Sequence, residues 1–218
     1  MVFYEKIYTG DDPVVAEKEN FKDIIESFSE AKKNGQSFFL MSSSIVFDRS
    51  IRKKYTESTT PNSKKLAAKF LIEAEKQVLQ YENGFVFRVQ DLIGKLYPLF
   101  EKMRNYNGTP IFSKNRFFLL SSEFYTYLLN EALIGKSVFD NQKLIHFAVP
   151  SPVDIELLWF SIRGTAPFVC DDNGTFGLDK NEGFLESEIL SSHPLYKDFL
   201  SENNKNVMRW LYNFCRKV

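Results

Sequence analysis

The sequence predicts an α/β fold: an incomplete Rossmann-like parallel sheet flanked by helices, with a smaller α-rich C-terminal lobe. Two observations carry this expectation. A unit of amphipathic helix, Asn-Gly turn and short apolar run occurs twice, over residues 21–41 and 66–89. A third apolar run, residues 144–149 (LIHFAV), leads into another helical pattern. Strands that alternate with helices are expected to lie parallel in one sheet, joined by right-handed crossovers.

Each element has a local reason. Phe21, Ile24, Ile25, Phe28 and Ala31 follow the period of a buried helix face, and Asn34-Gly35 supplies a helix C-cap. Residues 37–41 (SFFLM) form a continuous apolar run, the mark of a strand buried on both faces. Leu66, Ala67, Phe70, Leu71, Ala74 and Val78 give the second helix, Asn83-Gly84 its cap, and residues 85–89 (FVFRV) the next strand. Pro150 follows the third run and precedes a helix with Ile155, Leu158, Trp159 and Ile162 on one side. Residues 1–9 offer one more strand. Between 95 and 143 a single helix stands out, at 123–134. A polar, Gly-containing loop is expected from Gly164 to Gly183, then a last amphipathic helix carrying Val207, Met208, Leu211, Phe214 and Cys215. The expected division is a core of residues 1–94 and 144–163, and a smaller lobe of residues 95–143 and 164–218.

Composition narrows the function. Hydrophobic residues make up 44% of 218, with 22 Phe, enough for a sizeable core. The 28 basic and 28 acidic residues balance, which argues against nucleic acid as a partner. The basic run at 49–54 (RSIRKK) reads as a solvated loop. Cys170 and Cys215 lack metal-ligand spacing, and His146 and His193 are too few for a His-rich site, so no metal is expected. No disulfide is expected either. Asp171, Asp172 and Asp179 lack the order of a cation-binding loop. The sequons at Asn107 and Asn173 read as Asn-Gly turns, Glu186 and Glu188 as helix surface, and Trp159 and Trp210 as core or interface. No leader and no membrane span are seen, so a cytoplasmic protein away from membranes is expected.

The motifs form a series. Ser42-Ser43-Ser44-Ile45-Val46-Phe47-Asp48 follows a buried strand. Then come Tyr55-Thr56-Glu57, Pro61-Asn62, a helix end at Glu73-Ala74-Glu75-Lys76, and Phe87-Arg88-Val89-Gln90 with Gly94 close behind. Asn20 lies on the helix before the first strand, and His146 to Val153 form a late strand-to-helix segment. Over residues 1–165 this order resembles the extended short-chain dehydrogenase/reductases, and within them the dTDP-4-dehydrorhamnose reductase-like branch. That branch carries S-T-D-Y-V-F-D, Y-T-E, P-N-P, Y-G-x-x-K and an E-G-E-K-like helix end in the same order.

The resemblance implies hydride transfer between a nicotinamide and a sugar carbon. The family uses a hydroxyl to hold the sugar oxygen, a Tyr as acid or base, and a Lys four residues later on the same helix face. Ser43 matches the hydroxyl position. The Tyr position falls on Ala67 and the Lys position on Leu71, counted forward from Pro61-Asn62 or back from Glu75-Lys76. Both lie on the apolar face of their helix. No Tyr has a Lys four positions later; Tyr55 precedes the helix and Lys69 sits on another face.

The family also opens with a strand, a Gly-rich turn and a helix that hold a dinucleotide. The ten glycines here do not form that fingerprint, and the match begins about seventy residues into the usual layout. The expectation is therefore a non-catalytic relative with no cofactor, NAD(P) returning only if the chain is an active reductase or epimerase with altered residues. Ser44, Gln90 and Asp91, at strand ends where open α/β sheets take ligands, are the candidates for a remaining pocket, one that would hold a nucleotide sugar. A sheet begun at its middle exposes an edge strand, and such edges are normally paired or covered. A homodimer or a protein partner covering that edge is expected.

Overall fold

The computed structural model describes residues 2–4, 13–48, 54–93, 111–113, 116–134, 142–149, 151–165, 168–170 and 184–215. The basic residues 49–53, Gly94, Asn107, Pro150, the acidic residues 171–179 and Asn173 lie outside the described residues, as do the side chains of Cys170, Phe214 and Cys215.

A four-stranded parallel sheet is the frame. Its strands are β1 (Val2–Tyr4), β2 (Phe38–Ser43), β4 (Gly84–Val89) and β8 (Leu144–Phe147), side by side in that order. Helix α1 (Pro13–Lys33) links β1 to β2, and α2 (Leu66–Gln80) lies between β2 and β4. The expected strand near the N-terminus is thus present and pairs in parallel with β2. Among the described residues β1 stands at one edge of this sheet.

The strands are apolar on both faces, and alternation assigns each residue to a layer. Phe38, Leu40 and Val86 pack with Ile24, Phe28, Ala74 and Val78 of α1 and α2. Phe39, Phe87, Ile145 and Phe147 face the other way, against Phe124 and Leu128 of α3 (Ser122–Ile134). The abundant phenylalanines are used here in pairs: Phe39 stacks on Phe85 at 4.9 Å and Phe87 on Phe147 at 4.7 Å. Burying such a ring contributes about 1.5–3 kcal/mol.

The two Asn-Gly turns work differently. Gly35 takes φ +64°, and the amides of Gly35 and Gln36 donate to the carbonyls of Lys32 and Ala31, closing α1 with a Schellman cap. Gly84 is not the cap expected of it. It is the first residue of β4, and a Cβ there would stand 2.0 Å from the Val78 carbonyl oxygen. Glycine is required at that position by close approach of strand to helix.

Outside this sheet lie short strands that hydrophobic periodicity did not foretell. β5 (Leu92–Ile93) pairs in parallel with β7 (Arg116–Ser121), which pairs antiparallel with β9 (Ser151–Asp154). β6 (Ile111–Ser113) pairs with β10 (Phe168–Cys170), so the expected loop after Gly164 contains a strand. β3 (Lys54–Tyr55) pairs with β11 (Phe184–Leu185). Three further helices follow: α4 (Ile155–Arg163), the single turn α5 (Glu188–Ser191) and α6 (Tyr196–Cys215). Gly164 closes α4 at φ +70°. Asn203 of α6, wholly buried, accepts from the Ser121 amide at 2.8 Å and donates to the carbonyls of Leu119 and Val149 and to Ser151, tying α6 to the strand ends. Met208, expected on the buried face of α6, is 52% exposed; Val207 and Leu211 are the buried residues there.

Candidate functional site

Ligands of open parallel sheets sit beyond the carboxyl ends of the strands. At that end, on the α2 face, the apolar rows of β2, β4 and β8 give way to Ser42, Arg88 and His146. The three are lateral neighbours in register. All are buried, and Glu75 of α2 closes over them, also buried. Arg88 donates to Glu75 through Nη2 at 2.7 Å and through Nε at 3.1 and 3.3 Å. Ser42 donates its hydroxyl to the same carboxylate. Arg88 Nη1 lies 3.3 Å from His146 Nε2. A guanidinium only donates, so His146 accepts there and carries its proton on Nδ1, which donates to the Glu186 carbonyl at 3.2 Å. Burial, with the Arg88 charge second, lowers the His146 pKa to about 3. The Arg88 guanidinium also lies 5.1 Å from the centre of the Phe47 ring.

Glu57 performs a second closure. Its carboxylate accepts from the His146 amide at 2.9 Å, the Ser187 hydroxyl at 2.6 Å and the Glu188 amide at 2.8 Å. The Glu186 amide donates to the Tyr55 carbonyl. Residues 184–188 are thereby held across the ends of β4 and β8. Glu186, expected on a helix surface, precedes α5 and is half-buried.

The candidate residues occupy definite places. Ser43 ends β2, and its hydroxyl accepts from the Ile45 amide at 3.4 Å, capping the 3-10 turn Ser44–Val46. Ser44 is buried in that turn. Asn62 and Ser63 donate their amides to the Val46 carbonyl, and Asn62 accepts from the Asp48 amide at 2.7 Å, so the Pro61-Asn62 motif latches the loop after β2. Gln90 is buried. Its Oε1 accepts from the Leu185 amide at 2.7 Å, while its Nε2 meets no hydrogen-bond partner among the described residues. The Asp91 carbonyl accepts from the Leu120 amide, which ties Asp91 to the β5–β7 pair. Ser43, Ser44 and Leu71 thus gather at the packing of α2 on the 3-10 turn; Gln90 and Asp91 serve other contacts.

Leu71 packs against two apolar clusters at once. One is Phe28, Phe38, Leu40 and their neighbours; the other is Val46, Phe47, Tyr55, Ala148 and Leu185. Ala67, four residues earlier on α2, is also only partly enclosed. The fully buried residues of α2 are Ala68, Ala74, Glu75 and Val78. Tyr55 is buried and donates its hydroxyl to the Asp48 carbonyl. Lys69 is exposed.

Sequence reasoning missed the Glu75–Arg88–His146 ladder. The signal was present: a carboxylate on the buried side of α2 and an arginine inside an otherwise apolar strand call for each other. Among the described residues no cluster of His, Cys, Asp and Glu is arranged to hold a metal, and no helix is long and apolar enough to cross a membrane.

Comparison with solved structures places this architecture. A dTDP-4-dehydrorhamnose reductase from Clostridium acetobutylicum matches with a TM-score of 0.61 at 15% identity, over 89% of this chain and 74% of that one. The chain has the fold of these reductases. A reductase of the same name from Bacillus anthracis, solved in complex with NADP, gives 0.64 at 12% identity over 93% and 76%. A UDP-N-acetylglucosamine 4-epimerase from Methanobrevibacter ruminantium, solved with UDP-N-acetylmuramic acid, gives 0.62 at 14% over 91% and 71%. No family model matches the sequence, and no curated protein does. The α/β, Rossmann-like expectation is met, and so is the reductase and epimerase resemblance at the level of fold.

Proposed function

We propose that this chain is a divergent, non-catalytic relative of the dTDP-4-dehydrorhamnose reductase-like nucleotide-sugar reductases, acting by binding a protein partner or a nucleotide sugar. The observation that carries the reading is Leu71. Where the resemblance calls for a lysine beside a nicotinamide ribose, an apolar side chain bridges two apolar clusters. Ala67, at the tyrosine position, offers no proton. General acid catalysis needs a titratable group within hydrogen-bond reach of the reacting atom. Tyr55 does not supply it, since its hydroxyl is bound to Asp48. These residues do not fit nicotinamide chemistry, and no dinucleotide is part of the proposed function.

The reading extends to assembly. The core is residues 1–94 and 144–163, and the lobe residues 95–143 and 164–218. The β1 edge is covered by a second copy or a partner, and the protein works in the cytoplasm. A monomer by light scattering at micromolar concentration would count against the dimer.

The second reading is an active NAD(P)-dependent nucleotide-sugar reductase or epimerase, with Ser43 on the sugar oxygen and Ser44, Gln90 and Asp91 lining its pocket. The NADP complex of the Bacillus anthracis reductase favours it. Titration with NADH, NADPH and a dTDP-sugar separates the two. We expect no dinucleotide binding up to about 1 mM and no turnover; tight binding with turnover would overturn the non-catalytic reading.

A further inference from the structure

We propose that the cleft between α3 and α6 binds a small organic cation, an ammonium or guanidinium group on an apolar body. The cleft measures about 460 Å³, within the range of small-molecule pockets. Its apolar wall is aromatic. Phe124 and Phe199 are buried with ring centres 5.7 Å apart, and the Tyr127 ring lies 5.4 and 6.0 Å from them. Such faces attract cations.

The charges at the cleft reduce to one. Glu123 is engaged by Arg209 at 2.9 Å and by the Trp210 indole at 3.0 and 3.1 Å. Glu202 and Lys205, both exposed, stand 3.8 Å apart and cancel. Asp198 also lines the cleft and has no hydrogen-bond or ion-pair partner among the described residues. One uncompensated carboxylate beside three rings suits one positive charge.

Asn206 is the independent observation. It lines the cleft and is only 8% exposed. Among the described residues its side-chain amide meets no hydrogen-bond partner, although its polar atoms are not sealed off from the cleft. One turn earlier, Asn203 satisfies both ends of its amide within the fold. An enclosed side chain that opens its amide onto the cleft, and spends none of its hydrogen bonds on the fold, is free to bond a ligand there. An asparagine amide has both a carbonyl that can accept from a cation and an NH₂ that can donate to a second polar group.

The test uses the full chain and phenethylammonium, with 2-phenylethanol as the neutral control and phenylacetate as the anionic one, followed by isothermal titration and amide chemical shifts. Saturable binding of the cation, at least about tenfold tighter than the alcohol, with shifts on α3 and α6, is expected. Equal affinity for the alcohol, or no saturation by about 10 mM, would overturn the proposal. Tighter binding of N-acetyl-lysinamide would overturn a free small molecule as the occupant and make a peptide side chain the source. Asp198→Asn is expected to weaken binding about tenfold. Asn206→Leu is expected to abolish binding without lowering the midpoint of denaturation; a lowered midpoint would show the amide to be structural and sink the idea.

Discussion

At the carboxyl end of the four-stranded sheet, Ser42, Glu57, Glu75, Arg88 and His146 all find partners inside the chain. In the cleft between α3 and α6, the Asn206 amide and the Asp198 carboxylate find none among the described residues. The first region has the position of a ligand site and the hydrogen bonding of a core; the second, built between two helices, leaves one amide and one carboxylate available. Buried polar groups are normally satisfied, and the ladder follows that rule, whereas the exposed Asp198 carboxylate and the open Asn206 amide are left for something outside the fold. Among the described residues, Gln90 is discordant at the sheet, with its Nε2 left over.

The contrast breaks first at Glu75. Glu75→Ala would leave the buried Arg88 guanidinium without its carboxylate and expose an apolar gap in α2. Removing one partner of a buried pair costs about 3–5 kcal/mol, to be read from the urea midpoint. A loss under about 1 kcal/mol would mean that the ladder is solvated and the sheet end is open after all.

The next effect is the acid limb of stability. His146 is neutral in the fold down to about pH 3, whereas an unfolded histidine titrates near 6.5. Below pH 6.5 the unfolded chain therefore binds the extra proton. The His146 contribution is intact above that pH and is lost as pH falls toward 3, at about 1.4 kcal/mol per pH unit. His146→Gln should remove that slope between pH 6 and 4 relative to the wild type. Parallel stability profiles for the two proteins would contradict a sealed ladder.

A smaller effect tests the two positions where the resemblance expects a tyrosine and a lysine. Ala67→Tyr with Leu71→Lys would restore the residue types of the reductase pair. Lysine can extend its stem out of an apolar cluster, so the double variant should fold with a loss of about 1–2 kcal/mol. It should still transfer no hydride from NADPH in a stopped-flow absorbance assay. Turnover by this variant would mean that the rest of a reductase site survives.

What the sequence made legible follows from physical period. α1, α2, β2 and β4 carry long apolar patterns, and all four stand where those patterns put them. β5, β6, β10 and β11 are two or three residues long, too short to have a period, and their pairing is set by contacts far along the chain. The site divides in the same way. The expectation at Ala67 and Leu71 could be framed at all because motif spacing counts residues along one helix. The ladder joins Glu75 to residues on three strands, and no spacing in the sequence announces which of them meet. Asn206 was invisible for a further reason: a buried asparagine with every hydrogen bond made, such as Asn203, looks the same in sequence as one with none.

The smallest expected effect lies at Ser43. Its extended backbone, φ −138° and ψ 160°, is that of an N-cap, and its hydroxyl accepts a long bond of 3.4 Å from Ile45. Loss of an N-cap costs about 0.5–2 kcal/mol, and the length of this bond and the shortness of the turn it caps place Ser43→Ala near the lower figure. If the hydroxyl serves only the turn, the variant shifts the urea midpoint slightly and leaves the dTDP-sugar titration identical to the wild type. If it holds a sugar oxygen, the stability change is as small but the titration weakens. That second pattern would return Ser43 to the ligand, and the carboxyl end of the sheet would then resemble the cleft more than the core.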